Sequence, residues 1–382
     1  MKSLYLFALL LSLLFVACGN SSSNDNENQS TDSTQVVEIE QIAFDTTLTD
    51  IGRLLAGMSS YSDSVCLNIQ NTAVWKEHEQ AMEALFMKAE GKNLKSMRTW
   101  AETELPEGRD SSATLWYAFS GPDYLYANTF FPAAKKYVMF GLEPTGKVPD
   151  LSSRADYSGL FKSIQRSLIS SLSLNFFITK DMMQDLRKDQ EVGVLSLLML
   201  FSAYTGHKIL DIDYLYIDPE GTPVLCSYDS AKSSGYTTGV QMIVLDSLNR
   251  EKELIYLSFN AENSAFDKNT GLQAYFNNLD GTIYGMLKAA SYLMHYDGFK
   301  SIRELYLPKL TTLLSDDTGI KYTKMTEAFD KVQLYGTYSQ PIDLFDYINI
   351  DDLRQAYKEN TAKDLPFTYG YGFGKKVMIG RK

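Results

Sequence analysis

The most abrupt change in the hydrophobic pattern comes at the start of the chain. From Leu4 to Val16 the residues are apolar apart from Ser12, with Lys2 ahead and small Ala17 behind. A charged start, an apolar middle and a small-residue end form the pattern of an export signal over residues 1–17. The run is shorter than the roughly 20 residues that a resident membrane helix needs. Gly19 to Gln35 then contains no apolar side chain. Such a stretch cannot bury enough surface to offset its ordering entropy, so residues 18–40 are expected to form a disordered tether.

The pattern beyond the tether predicts a helical N-terminal part over 41–110 and a mixed α/β body over 111–382. Val74, His78, Ala81, Leu85 and Ala89 recur at helical spacing, with Gly91 expected to interrupt the run before a second helix reaches Leu105-Pro106. Thr114–Phe119 and Lys136–Leu142 are short apolar runs flanking a helical stretch that ends near Pro132, which fits a βαβ crossover. Residues 155–205 read as mostly helical. The Val192–Tyr204 stretch is apolar nearly all round, which marks a buried central helix capped by Gly206. Strands are expected at Ile209–Ile217, Val224–Cys226, Gly239–Leu245 and Glu253–Phe259. Helices are expected at 282–296 and 300–314, and a strand at Val332–Tyr338. One more helix, at Asp351–Glu359, and Gly-aromatic strands at 367–381 complete the chain. The fold class is therefore α/β or α+β: a mixed sheet with flanking helices, the N-terminal part forming one domain with the body or a separate one.

Composition narrows the function classes. Apolar residues make up 45% of the chain and charged residues 22%, as in a well-cored globular protein. The net charge of -11 lacks the basic footprint that nucleic acid requires. It also argues against electrostatic docking on anionic lipid. Of the three cysteines, Cys66 and Cys226 fit two separate core thiols or one disulfide, and no metal-ligand spacing involves either.

The candidate chemistry is acidic. Asp123 and Glu143 follow the two strands of the proposed crossover. If those strands are parallel, both acids lie at the carboxyl edge of the sheet, where α/β proteins place ligands. There they could serve as acid and base, or hold a hard divalent cation together with Asp211 and Asp213. The bland explanations are a helix-dipole role for Asp123, a turn at Glu143-Pro144, and solvated faces for Asp211 and Asp213. Ser120 sits between strand and helix as a nucleophile would, with the Gly121 N–H facing an oxyanion; equally, Ser120 or Gly121 caps the following helix. His295 is a candidate base, or simply a cation at a helix C-terminus. His78 lies on an apolar stripe and His207 follows a cap. Gly370-x-Gly372-x-Gly374 lacks the strand–helix context of a dinucleotide loop. No cofactor is implied.

Phe15-Val16-Ala17-Cys18-Gly19 resembles the lipobox of bacterial lipoproteins with a type II signal peptide. The acidic, Asn-rich tether is similar to that of Bacteroidota lipoproteins. The resemblance implies that Cys18 becomes the lipidated first residue. It places the protein in the cell envelope, at the outer membrane, on the periplasmic face or the cell surface. Phe119-Ser120-Gly121-Pro122-Asp123, Phe130-Phe131-Pro132, Gly141-Leu142-Glu143-Pro144 and Ser291–Tyr296 resemble segments of uncharacterised bacterial secreted proteins and lipoproteins, to which no activity attaches. The expected role is a lipid-anchored binding or envelope-assembly module, with the membrane, envelope proteins or glycans as partners. The alternative is a hydrolase using the acidic site around Asp123 and Glu143.

Overall fold

The computed structural model describes residues 45–154, 156–174, 193–348, 350–372 and 374–382, so the segments expected as export signal and tether, with Cys18, lie outside the described residues. Asp45–Lys382 is one compact unit, and the helical N-terminal part belongs to it.

Ten strands form a single mixed sheet in the order β4-β3-β5-β6-β2-β1-β7-β8-β10-β9. They are β1 Thr114–Tyr117, β2 Lys136–Gly141, β3 Lys208–Ile217, β4 Pro223–Cys226, β5 Thr237–Leu245, β6 Glu251–Ser258, β7 Ile283–Leu287, β8 Thr312–Ser315, β9 Lys331–Gly336 and β10 Lys376–Arg381. The five central strands β6, β2, β1, β7 and β8 are parallel. Antiparallel hairpin strands extend the sheet at both ends. The expected crossover is present, with Thr114 opposite Lys136 and Tyr117 opposite Met139.

Alternation along the central strands feeds two separate cores. Leu115, Tyr117, Tyr137, Met139, Leu254 and Met286 face one way and Trp116, Val138, Phe140, Ile255 and Leu287 the other. On the first face lie α1 Thr47–Leu55, α2 Ser64–Gln70, α3 Ala73–Ala89, α4 Lys95–Glu104, α5 Tyr124–Phe130, α6 Ser158–Leu174 and α7 Val194–Tyr204. On the second lie α9 Asn263–Phe266, α10 Thr270–Asn277, α11 Lys300–Lys309, α12 Tyr322–Ala328 and α13 Asp351–Glu359; the short α8 Tyr228–Ser233 packs on β3 and β5. The chain thus covers one face while building outward from β1 to β2 and β6. It then crosses to β7 and β8 and covers the other. This is a doubly wound sheet whose direction of growth reverses between β1 and β7.

The central helix α7 is buried on all sides, as its composition predicts, and Gly206 takes the left-handed conformation just beyond its cap (φ 81°). Among the described residues no helix is long and apolar enough to cross a membrane.

Four expectations are corrected. The 282–296 segment is not a helix: it holds β7 and a short 3-10 turn at Leu293–His295. The 300–314 helix stops at Lys309, and Thr312–Ser315 is β8. Gly91 does not interrupt the N-terminal helix, because Glu90–Leu94 forms a π-turn that carries α3 into α4. The buried stripe of α3 is Trp75, His78, Met82, Phe86 and Ala89; Val74 is exposed. Trp75 and Phe86 bury more area than Val74 and Leu85, so the helix turns them inward.

Candidate functional site

The carboxyl ends of β1, β2, β6 and β7 surround a cavity of about 410 Å³, directly at the point where the sheet reverses its growth. Neighbouring strands there send their following loops toward opposite faces, which opens a crevice between them. Its wall comes from Phe119 and Ser120 after β1, Phe140 and Glu143 around the end of β2, Phe259 and Asn260 after β6, and Ala289 to Ser291 after β7. Phe299, Leu344, Phe345 and Tyr371 complete it.

Both loops at the reversal are backbone-strained. Phe119 has φ 57°, Gly121 53°, Ala289 53°, Ser291 54° and Tyr292 60°. For a residue with a side chain this region costs on the order of 1–3 kcal/mol and persists only where neighbours enforce it. The neighbours are visible. The Ala289 amide donates to Asp316 Oδ2 at 3.0 Å and the Ala290 amide to Thr318 Oγ1 at 2.9 Å. The Tyr292 amide donates to the Thr318 carbonyl at 2.8 Å, and its hydroxyl to Asp317 Oδ2 at 2.5 Å. Asp316 Oδ1 accepts from the Thr318 amide and hydroxyl, and Asp317 is paired with Lys376 at 3.3 Å. The Ser315–Gly319 loop therefore clamps the loop after β7. Burial pushes the Asp316 carboxyl up to about 6, with Asp317 adding to the rise.

At the cavity floor Asp123 and Lys288 form an ion pair at 2.8 Å, both buried. Tyr117 donates its hydroxyl to the same Asp123 oxygen at 2.7 Å, and the Lys288 ammonium sits 3.7 Å from the centre of the Tyr126 ring. Burial pushes the Asp123 carboxyl up and the Lys288 ammonium down, and each opposes the shift of the other. Glu143 is also buried. Its carboxylate accepts from the Tyr256 hydroxyl at 3.2 Å, and that hydroxyl also donates to the Glu143 carbonyl at 2.9 Å. Gly141 leaves room for it: a Cβ there would fall 2.2 Å from Glu143 Oε2.

The sequence candidates separate cleanly. Ser120, Asp123 and Glu143 are brought together at the cavity. Asp123 is committed to Lys288 and makes no side-chain cap on α5, although it precedes that helix. Ser120 donates to the carbonyls of Gly121 and Phe140 and caps nothing; the Gly121 amide is spent on the Phe140 carbonyl, so it faces no oxyanion. No histidine lines the cavity. His295 is buried in the 3-10 turn, edge-on to Tyr292, rather than at a helix end. His78 contacts the Leu55 carbonyl and the Gln165 amide, and His207 contacts Tyr124 and Thr205. Burial drives all three down to about 4.

Asp211 and Asp213 lie on β3, three strands away from β2, past β5 and β6, with Asp211 exposed. A bulge between Ile209 and Asp211 breaks the alternation there. Among the described residues no three His, Cys, Asp or Glu side chains are placed to hold a metal. Cys66 and Cys226 are separate free thiols.

Sequence reasoning missed Lys288, Asp316 and Asp317. Lys288 was hidden because its segment reads as helix. The acidic pair carried a usable signal: Ser315-Asp316-Asp317-Thr318-Gly319 directly follows the apolar Leu313-Leu314, as a strand-end loop does. No family model, curated protein or solved structure matches this chain.

Proposed function

We propose that the protein is a lipid-anchored cell-envelope binding protein, held at the outer membrane through Cys18, whose folded unit captures a small organic molecule at the carboxyl edge of its sheet. The observation that carries the binding reading is the cavity of about 410 Å³ at the reversal of a doubly wound sheet, walled by aromatic rings with a few converging polar groups. The strained loops around it support the same reading, since backbone strain of this kind gathers at ligand sites. Purified full-length protein, denatured and analysed by mass spectrometry, should release a bound small molecule. Ala261→Trp, which fills the cavity, should remove it. A protein that carries nothing and gives no thermal shift with any small-molecule fragment would end the reading.

The anchor has its own test. Cys18→Ala should abolish palmitate labelling and either free the protein from membranes or leave it unprocessed. Persistent labelling would refute lipidation at Cys18.

A hydrolase is the second reading, favoured by the two buried acids on one cavity wall. Against it, Asp123 is tied to Lys288 and Ser120 has no base. Asp123→Asn would have to abolish a measurable hydrolytic activity for it to stand.

A further inference from the structure

We infer that the cavity selects a monovalent organic cation, an ammonium or quaternary ammonium group, with Glu143 as its counter-charge; this rests on the cavity being a ligand site. Among the described residues three charged side chains line it: Asp123, Glu143 and Lys288. Asp123 and Lys288 neutralise each other at 2.8 Å. Glu143 is left over. It is 3% exposed, and among the described residues no cation pairs with it. Its one side-chain donor is the neutral Tyr256 hydroxyl at 3.2 Å. Buried charges in proteins are normally paired or bound to metal, because isolation from water is costly. A ligand that brings the missing positive charge removes that cost.

The walls fit the same chemistry. Phe119 packs edge-on against Phe140 (5.1 Å between ring centres) and Phe299 (5.9 Å), Phe140 lies 4.6 Å from Phe259, and Phe345 lies 5.3 Å from Tyr371. All six line the cavity. Ring faces attract cations, and quaternary ammonium groups are held in aromatic cages of this composition. The lining disfavours two other classes. A phosphate ester would meet Glu143 with no cation except Lys288, whose ammonium is held by Asp123. A hard divalent ion needs six or more oxygen ligands, and beside Glu143 the wall is mostly aromatic, with no group of three His, Cys, Asp or Glu side chains placed for a metal among the described residues.

The test uses the full chain in detergent, titrated calorimetrically with charged and neutral partners of matched shape: choline against 3,3-dimethylbutan-1-ol, and benzylammonium against benzyl alcohol. The cation of each pair should bind about tenfold tighter or more, the range of a desolvated cation–π contact joined to a charge pair. Glu143→Gln should cut that preference about tenfold, leaving only the share the rings supply, while the neutral partner's affinity is unchanged, and Glu143→Asp should keep more of it. Circular dichroism confirms that each variant is folded. Equal binding of charged and neutral partners, a preference that stays undiminished in Glu143→Gln, or magnesium or calcium binding that excludes choline would overturn the inference. Neutral ligands bound without preference would leave the cavity standing as a ligand site. If neither class binds, the inference falls, while the ligand-site reading is decided by the mass-spectrometric and thermal-shift test above.

Discussion

Two groups of buried carboxylates sit at the same edge of this sheet, and they are finished differently. Asp316 and Asp317 are closed: backbone amides, two hydroxyls and Lys376 occupy their oxygens. Glu143 is open, with one neutral side-chain donor and a cavity beside it. Asp123 stands between the two cases, its charge cancelled by Lys288 but its side chain still on the cavity wall. Burial and acidity alone therefore do not mark a ligand site. The number of donors the fold itself supplies separates a carboxylate that holds loops from one that waits for a partner.

The largest effect should come from breaking the neutral pair. Lys288→Met leaves Asp123 buried without a counter-charge and should cost about 3–5 kcal/mol in denaturant unfolding. The double variant Lys288→Met, Asp123→Leu should recover most of that loss. If it does not, the pair holds more than its own charges. Next is the closed cluster. Asp316→Ala strands the Ala289 and Thr318 amides, each worth roughly 1–3 kcal/mol when left unpaired. It should also loosen the strained loop after β7, read as faster amide exchange at Ala289 and Ala290.

A smaller effect, with opposite signs in two places, appears with pH. His78 is held near 4 by burial against an ordinary value of 6.5. The unfolded chain takes up its proton first, so the stability that neutral His78 contributes is full above about pH 6.5 and is lost as pH falls toward 4. The wild type should therefore lose stability relative to His78→Gln over that window. Asp316 is raised to about 6, so the folded state takes its proton first. Relative to Asp316→Asn, the wild type should gain stability as pH falls from about 6 toward 4. Matching slopes for the two variants would contradict the burial assigned to one of them. The smallest effect belongs to β3: Asp211→Asn and Asp213→Asn should leave ligand binding unchanged and stability within about 0.5 kcal/mol.

The unequal legibility of the chain has a physical cause. The crossover was readable because a helix separates β1 from β2 and Pro132 marks where that helix has ended. The acids after the two strands could then be placed at one edge, and Asp123, Glu143 and Ser120 do meet there. β7 was not readable. All five of its residues are buried, so it carries no polar alternation. Its Ile283, Met286 and Leu287, with Ala290 in the loop beyond, also fall at helical spacing. Gly285 was the unread hint: a Cβ there would lie 2.4 Å from a Leu310 methyl, because α11 packs closely on that strand. Losing β7 lost Lys288, and with it the pairing that neutralises Asp123. Asp211 and Asp213 illustrate the opposite error, because shared residue type suggested a cluster that sheet order keeps apart.

The way α1 is fastened has a mechanical consequence for whatever precedes Asp45. Thr49 exchanges hydrogen bonds with Ile209 at the start of β3, its hydroxyl accepting from the amide at 2.8 Å and donating to the carbonyl at 3.3 Å. Gly52 lets α1 lie so close to α7 that a Cβ would sit 2.7 Å from the Met199 carbonyl oxygen. A pull transmitted through Asp45 therefore meets, within the first two turns of α1, hydrogen bonds to the sheet and close contact with the buried helix. Tension entering at Asp45 reaches the fold first on the face of the sheet that carries α1–α7, and the helices across the sheet feel it only through the strands.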